Sequence, residues 1–393
     1  MQGFVQYTPT KVVFGKETEQ QVAKEIMEFG GSKVLIVYGG GSVVKSGLLD
    51  TVKTQLSKAG ISYQEVGGVQ PNPRLSLAEE GAKKGIAFGA DFVLAIGGGS
   101  AIDTAKAIAH GVANPEYTIE DIWNKKITLT KSTPVGVILT IAAAGSETSD
   151  SAVLTNEKTG KKGGINTDFN RPKFAIMNPE LTYTLPKYQI ACGIVDIMMH
   201  TLERYFVKDL NNQLTDEIAE GLLRTVIANG MVAMENPTDY QAMSELMWCG
   251  SISHNGLTGL GGEKGFEVHK MGHVLGAKYD VAHGASLSTI WASWARYVYQ
   301  TDASRFARYA HKVWGIQETD VESDALMGIQ KTEDYFQSLE MPTSFATLGI
   351  KELSEGELKD LGNQATANRT ITISMFRPLD ADDVYQIYKM ANK

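Results

Sequence analysis

The first half of the chain alternates between two hydrophobic patterns. KVLIVYGGGS at 33–42 is an unbroken apolar run closing on glycines, and DFVLAIGGGS at 91–100 repeats it. Such runs suit strands buried on both faces of a parallel sheet. ISYQEVGGV at 61–69 predicts another strand, and PVGVILTIAAAGSE at 134–147 predicts a fourth. The segments 44–60, 75–90 and 101–113 instead space their apolar residues at three and four, the helical repeat. Strand followed by helix, several times over, predicts an α/β domain with a parallel sheet and helices on both faces.

The pattern changes after NPELTYTLPKYQ at 178–189, where Pro186 suits the first turn of a helix. From there the 3.6-residue period dominates. Segments 187–206, 213–234, 240–255, 266–278, 283–298, 303–313, 323–339, 354–364 and 381–391 all predict helices. RTITISM at 369–375 conflicts with them: it alternates like a strand, unless it is a loop packed on helices. The expected organisation is an α/β domain over 1–183 and an all-helical domain over 184–393. No internal repeat or low-complexity linker intervenes.

Composition narrows the function classes. A chain of 393 residues exceeds one small core, and 43% hydrophobic with 21% charged residues is ordinary globular usage. A net charge of -8 argues against nucleic acid or an anionic membrane as the main partner, since both require a basic face. No apolar run approaches the ~20 residues of a membrane helix. The opening MQGFVQYTPTKVVFGKE has no basic start followed by an apolar stretch, so no signal peptide is expected. Two cysteines, Cys192 and Cys249, make no disulfide framework, which fits a reducing, cytoplasmic setting.

Two glycine turns carry the first candidate chemistry. Gly97, Gly98, Gly99 and Ser100 stand between a strand and a helix. Glycines there let the backbone approach a phosphate, and the helix start offers free N–H groups. The spacing is not G-x-G-x-x-G, because Ile102 holds the sixth position, and a tight turn without ligand is the plain alternative. VYGGGSVVKSG at 37–47 repeats the arrangement, and two such turns in one sheet suit a dinucleotide. No acidic residue closes this first strand to bind a ribose 2′-hydroxyl. Ser42, a helix start and Lys45 suit a 2′-phosphate instead, which favours NADP(H) over NAD(H).

Histidine carries the second. Three of the seven histidines fall within FEVHKMGHVLGAKYDVAHG at 266–284. His269 and His273 are four apart, as are Asp196 and His200 in GIVDIMMHTLE. Positions i and i+4 share a helix face, so each pair can point at one ion. A single helix through His269 and His283 would hold them about 21 Å apart at 1.5 Å per residue. A helix–turn–helix is therefore required, with Gly276, Asp280 and Gly284 available for the turn. A buried Asp–His hydrogen bond is the bland alternative for the first pair. Imidazole plus carboxylate without thiolate suits Fe(II), Zn(II), Co(II) or Ni(II) in an open site rather than structural zinc. His110, His254 and His311 lack such spacing and are read as surface or core residues.

With these residues in hand, the chain resembles the iron-containing (group III) alcohol dehydrogenase family, and within it the NADPH-dependent butanol dehydrogenase and aldehyde reductase branch. The ordered motifs are YTPTKVVFG, GGVQPNP, GGGSAIDTAKAIA, AAAGSET, NPELTYTLP, GIVDIMMHTLE, HKMGHVLGAKYDVAHGA and MPTSFATLGI, spanning nearly the whole chain. The resemblance implies a cofactor-binding domain over 1–183 and a metal- and substrate-binding domain over 184–393, in an architecture shared with dehydroquinate synthase. It implies Asp196, His200, His269 and His283 as ligands of one divalent metal, Fe(II) first and Zn(II) second. His273 becomes the nearby proton-relaying histidine, a distinction from His269 that spacing alone does not make. Gly98, Gly99, Ser100 and Asp103 match positions at the pyrophosphate and nicotinamide. Thr140, Thr148, Lys162 and Leu181 match the remaining cofactor lining, and Gly40 with Ser42 the turn near the 2′-phosphate. The implied reaction is hydride transfer between NADP(H) and a small primary alcohol or aldehyde, in a homodimer. Phe266, Glu267 and Ala144 depart from the family pattern, at positions where Trp, no carboxylate and Thr are common. A glycerol dehydrogenase-like NAD enzyme and a dehydroquinate synthase-like lyase are the rival enzymes, and a non-catalytic metal- or nucleotide-binding protein the rival class.

Overall fold

The apolar runs become strands of one sheet. The computed structural model describes residues 2–208, 212–263, 265–317 and 319–393. It contains two compact units, Tyr7–Thr184 and Leu185–Lys393, the latter including the segment before Tyr7. Among the described residues the first unit holds strands β1 (Lys11–Phe14), β2 (Lys33–Tyr38), β3 (Ser62–Val66), β4 (Phe92–Gly97), β5 (Val135–Leu139), β6 (Ser151–Asn156), β7 (Lys161–Asn166) and β8 (Phe174–Met177). Six of them pair in the order β1-β8-β5-β4-β2-β3, every pairing parallel. β6 and β7 form a separate antiparallel pair.

The helices of this unit are α1 (Val22–Glu28), α2 (Ser42–Lys45), α3 (Leu48–Lys58), α4 (Leu75–Phe88), α5 (Gly99–Ala113) and α6 (Ile119–Trp123). The single helix expected over 44–60 is two, because Gly47 takes φ +77° between α2 and α3. β4 and β5 are buried at every position, as their unbroken apolar runs require. Phe174 lies between Phe29 and Phe92, with ring centroids 6.3 and 5.9 Å away. Gly136 in β5 leaves room for that ring: a Cβ there would lie 2.3 Å from Phe174 Cζ.

The second unit is helical: α7 (Lys187–Tyr205), α8 (Gln213–Glu235), α9 (Tyr240–His254), α10 (Glu267–Tyr279), α11 (His283–Val298), α12 (Ala303–Trp314), α13 (Val321–Ser338), α14 (Phe345–Leu348), α15 (Glu355–Ala365) and α16 (Ala381–Ala391). α7 and α11 are apolar on most sides and are the buried helices. Trp291 and Trp294 on α11 are fully buried, and Phe206 and Phe306 beside Trp294 stack at 4.1 Å. Burying a ring of this size contributes about 1.5–3 kcal/mol. Residues 369–375 are not a strand. Arg369 and Ser374 take φ +66° and +87°, and Ile373 makes one antiparallel bridge to Leu379. No helix among the described residues is long and apolar enough to cross a membrane.

Candidate metal centre and dinucleotide turns

Three helices build a cluster of polar side chains inside the helical unit. α7 presents Asp196, His200 and Glu203 at i, i+4 and i+7, one stripe on an otherwise apolar rod. α10 contributes His269 in its first turn and His273 one turn later. The chain then reverses at Asp280, which closes α10 with φ +52°, and α11 starts at His283. The required helix–turn–helix is therefore present, turning on Asp280. Gly276 lies inside α10, and Gly284 lies in the first turn of α11. A Cβ on Gly284 would lie 2.3 Å from the Cys192 carbonyl oxygen, so α11 starts directly against the α7 backbone.

These contacts set the geometry around Asp196. Its Oδ1 lies 3.2 Å from His200 Nδ1, 3.5 Å from His269 Nε2 and 3.7 Å from His283 Nε2. Asp196, His200 and His269 are buried and offer ligand atoms all within 4.8 Å of one another. His283 and His273 are partly exposed. The His273 ring stands 5.4 Å from His283 and 6.2 Å from His269, centroid to centroid.

Hydrogen bonds fix which nitrogens are bare. His200 Nδ1 donates to the Asp196 carbonyl oxygen at 2.9 Å, leaving Nε2 as a lone-pair donor. His269 Nδ1 meets the Glu203 carboxylate, so its Nε2, which faces Asp196, is the nitrogen a cation would engage in place of a proton. Burial, then the neighbouring His254 and His269, hold His200 well below the usual imidazole range. Burial alone would lower His269 too, but the charges and hydrogen bonds of Glu203 and Asp196 outweigh it and hold His269 at about 9. A place that favours positive charge on an imidazole also favours a cation beside it.

The donor set fits a divalent metal. Asp196 Oδ1 and His269 Nε2 are buried without a hydrogen bond among the described residues. Leaving two polar atoms in that state costs free energy unless a ligand engages them. One carboxylate oxygen and three imidazole nitrogens suit iron or zinc. Burial pushes the nearby Cys192 thiol up to about 11, so it offers no thiolate at neutral pH.

Two of the cluster's residues were not anticipated. Glu203 lies two helical turns from Asp196, and an acid on that face of an apolar helix is the signal that could have found it. His254, expected at the surface or in the core, ends α9 with its ring stacked 4.1 Å from His200. His110 does lie in the core, bonded to Ser132 and Asn170, with burial pushing it down to about 4. His311 pairs with Asp324 at 2.9 Å. Glu267 faces Ser374 at 2.7 Å, and burial followed by Glu203 raises it to about 8.

In the α/β unit both glycine turns fall where strand order reverses. From β2 the chain goes outward to β3, then returns to place β4 on the other side of β2. β2 and β4 are neighbours, and the crevice beyond their carboxyl ends is where doubly wound sheets bind dinucleotides. Gly98 caps α5, and Gly99 and Ser100 form its first turn, all partly exposed. Larger residues would crowd their neighbours: a Cβ on Gly98 would lie 3.0 Å from Ile141, and one on Gly99 3.2 Å from Ala144. Thr140 follows β5 and donates its N–H to Gly97. Gly40 and Ser42 are exposed after β2.

The remaining cofactor candidates are more dispersed. Asp103 is buried, accepting from Ser146 Oγ at 2.6 Å and the Val153 N–H at 2.9 Å. Burial raises its carboxyl despite Lys106 beside it. Thr148 is buried in the loop after β5, and its carbonyl accepts from Arg171. Lys162 on β7 donates to Asn72 at 2.9 Å. Leu181 packs against the apolar core near α1 and β8.

The cluster offers donors for a divalent cation, and the glycine turns lie where doubly wound sheets bind dinucleotides. Family models for "Iron-containing alcohol dehydrogenase" and "Fe-containing alcohol dehydrogenase family, C-terminal" match residues 9–179 and 190–392. The chain is 40% identical over 386 residues to NADH-dependent butanol dehydrogenase A of Clostridium acetobutylicum, covering 97% of each. It is 33% identical to the NADPH-dependent aldehyde reductase YqhD of Escherichia coli, covering 96% of this chain and 98% of that one. The crystal structure of NADH-dependent butanol dehydrogenase A from Thermotoga maritima superposes with a TM-score of 0.96 at 36% identity, covering 100% of this chain and 99% of that one. The chain belongs to the iron-containing alcohol dehydrogenase family. It is an alcohol/aldehyde oxidoreductase, and family membership implies a metal ion and a nicotinamide cofactor.

Proposed function

We propose that the chain interconverts small aliphatic aldehydes and primary alcohols, with Asp196, His200, His269 and His283 holding one divalent cation, iron first and zinc second. The observation that carries this reading is the buried Asp196 Oδ1, facing three imidazoles without a hydrogen bond. A cation there supplies a Lewis acid for a carbonyl or hydroxyl oxygen, and nicotinamide supplies or accepts hydride. The chain's own residues do the rest. Glu203 and the Asp196 carbonyl hold the protons of His269 and His200 on Nδ1. His273, partly exposed beside the cluster, passes the proton between the substrate oxygen and water, since imidazole titrates near neutral pH.

Residues 1–183 take the cofactor and 184–393 the metal and substrate. Gly98, Gly99 and Ser100 receive the diphosphate at the start of α5. Thr140, Thr148, Lys162 and Leu181 line the remainder, while Asp103 anchors the Ser146 loop and the Val153 N–H. The cofactor is NADP(H). No carboxylate closes β2, and Glu65 on β3 is taken up by Tyr38 and Lys53. Lys45 reaches back over the turn, its Cε 3.5 Å from where a Gly41 Cβ would stand. The butanol dehydrogenases at 35–40% identity bear NADH-dependent names and the aldehyde reductase at 33% an NADPH-dependent one, so the choice of NADP(H) is argued from the turn alone.

Metal analysis combined with a cofactor assay tests the reading. The purified protein should contain one divalent ion per chain and oxidise NADPH with butanal faster than NADH. Chelation should abolish turnover, and added Fe(II) or Zn(II) should restore it. Full activity in metal-free protein, or metal retained by Asp196→Ala, overturns the assignment.

A further inference from the structure

Glu203 is fully buried on α7, and its two oxygens divide their tasks. Oε1 accepts from the backbone N–H groups of Val268 and, at 3.2 Å, of His269, in the first turn of α10. Oε2 accepts from His269 Nδ1. One carboxylate therefore satisfies orphan amides of a helix start and orients the imidazole that the same turn carries. An acceptor against the first turn of a helix meets backbone N–H groups that no other part of the helix can satisfy.

We propose that Glu203 is a positioning residue that seats the start of α10 and locks His269 into the Nδ1–H tautomer, presenting Nε2 to the metal as a lone pair. The inference rests on the proposed reading of His269 as a ligand. Both oxygens are needed. A glutamine of the same shape has one acceptor. If its oxygen stays on the two backbone amides, its NH2 group faces Nδ1 and must donate there. That forces the His269 proton onto Nε2, the nitrogen a metal requires bare. If the amide turns over, the first turn of α10 loses its acceptor instead. A carboxylate partner also makes the imidazole a stronger donor than a neutral one does.

The test compares cobalt(II) binding in wild type, Glu203→Gln, Glu203→Asp and Asp196→Ala, by titration against a chelator and by the visible cobalt spectrum. Wild-type cobalt affinity in Asp196→Ala would defeat the ligand assignment itself, whatever Glu203 does. With cobalt lost there, Glu203→Gln should keep its melting temperature and NADPH affinity. It should bind cobalt about 10–100-fold more weakly, with an altered spectrum. Glu203→Asp, which keeps the charge, should recover part of the loss. Wild-type cobalt affinity and spectrum in Glu203→Gln overturn the proposal. A measurement without variants guards against misfolding. In the zinc-loaded wild type, nitrogen NMR should show the proton of the His269 ring on Nδ1 in a strong hydrogen bond, and its absence also overturns the proposal.

Discussion

His273 and His269 are one helical turn apart, yet only one belongs to the buried cluster. His269 touches Glu203 and faces Asp196, whereas His273 is partly exposed. His273→Ala should retain metal while turnover falls by about 10²–10⁴-fold, the range for lost acid–base catalysis. Metal content and kcat on one preparation check this, and equal metal loss in His273→Ala and Asp196→Ala would reverse the assignment. Lys45→Ala should raise KM for NADPH roughly ten- to a hundredfold, the loss of about 1.5–3 kcal/mol for a bond to a charged group, and leave KM for NADH nearly unchanged. Equal effects on the two cofactors would remove Lys45 from the phosphate site. At this scale the sequence is partly transparent. Spacing singles out Asp196 with His200 and the group His269, His273 and His283, because i, i+4 pairs and the length limit of one helix are geometric facts, but it does not choose between His269 and His273. Glu203 escaped because its partner lies in a distant segment, and no local spacing encodes contact between α7 and the start of α10.

At the scale of elements, the start of α11 depends on an absent side chain. Gly284 meets the Cys192 carbonyl oxygen, so Gly284→Ala must push α11 away from α7 and carry His283 with it. Overpacking of this kind costs about 1–3 kcal/mol. Thermal unfolding should show that loss together with weakened metal binding. Gly356→Ala in the first turn of α15 is the control: a Cβ there meets nothing within 4 Å, so stability should hold or rise slightly. Elements with a long apolar period were legible, and the helices of the second half follow it. The β6–β7 pair was not, since KKGGIN has neither alternation nor bulk. Nor were β1 and β8, at four residues each. RTITISM admits two readings, strand or packed loop, and the loop holds. Its β-branched alternation reads as strand, but Ser374 sits at positive φ with its hydroxyl on Glu267, and that tertiary bond decides the conformation.

Across the whole molecule, the proposed ligands all belong to the helical unit and the glycine turns to the α/β unit. Hydrogen exchange should separate them. Chelation should raise amide exchange in α7, the first turns of α10 and α11, and the Asp280 turn, while the β2–β4 amides hold their protection. NADPH should instead slow exchange at 97–103 and 39–46. Uniform loosening of both units on chelation would contradict this division. The change from strand–helix alternation to a helical period, near Pro186, was legible in the sequence. The strand order was not, because periodicity names strands without stating their neighbours.

The proposed metal-facing side chains being confined to one stretch, from Asp196 to His283, has a practical consequence. A library randomised only there can be selected for altered ion preference while the nucleotide half stays untouched. Retention on an immobilised-dye or NADPH column then becomes an internal standard, separating clones with a changed metal appetite from clones that have merely lost their shape.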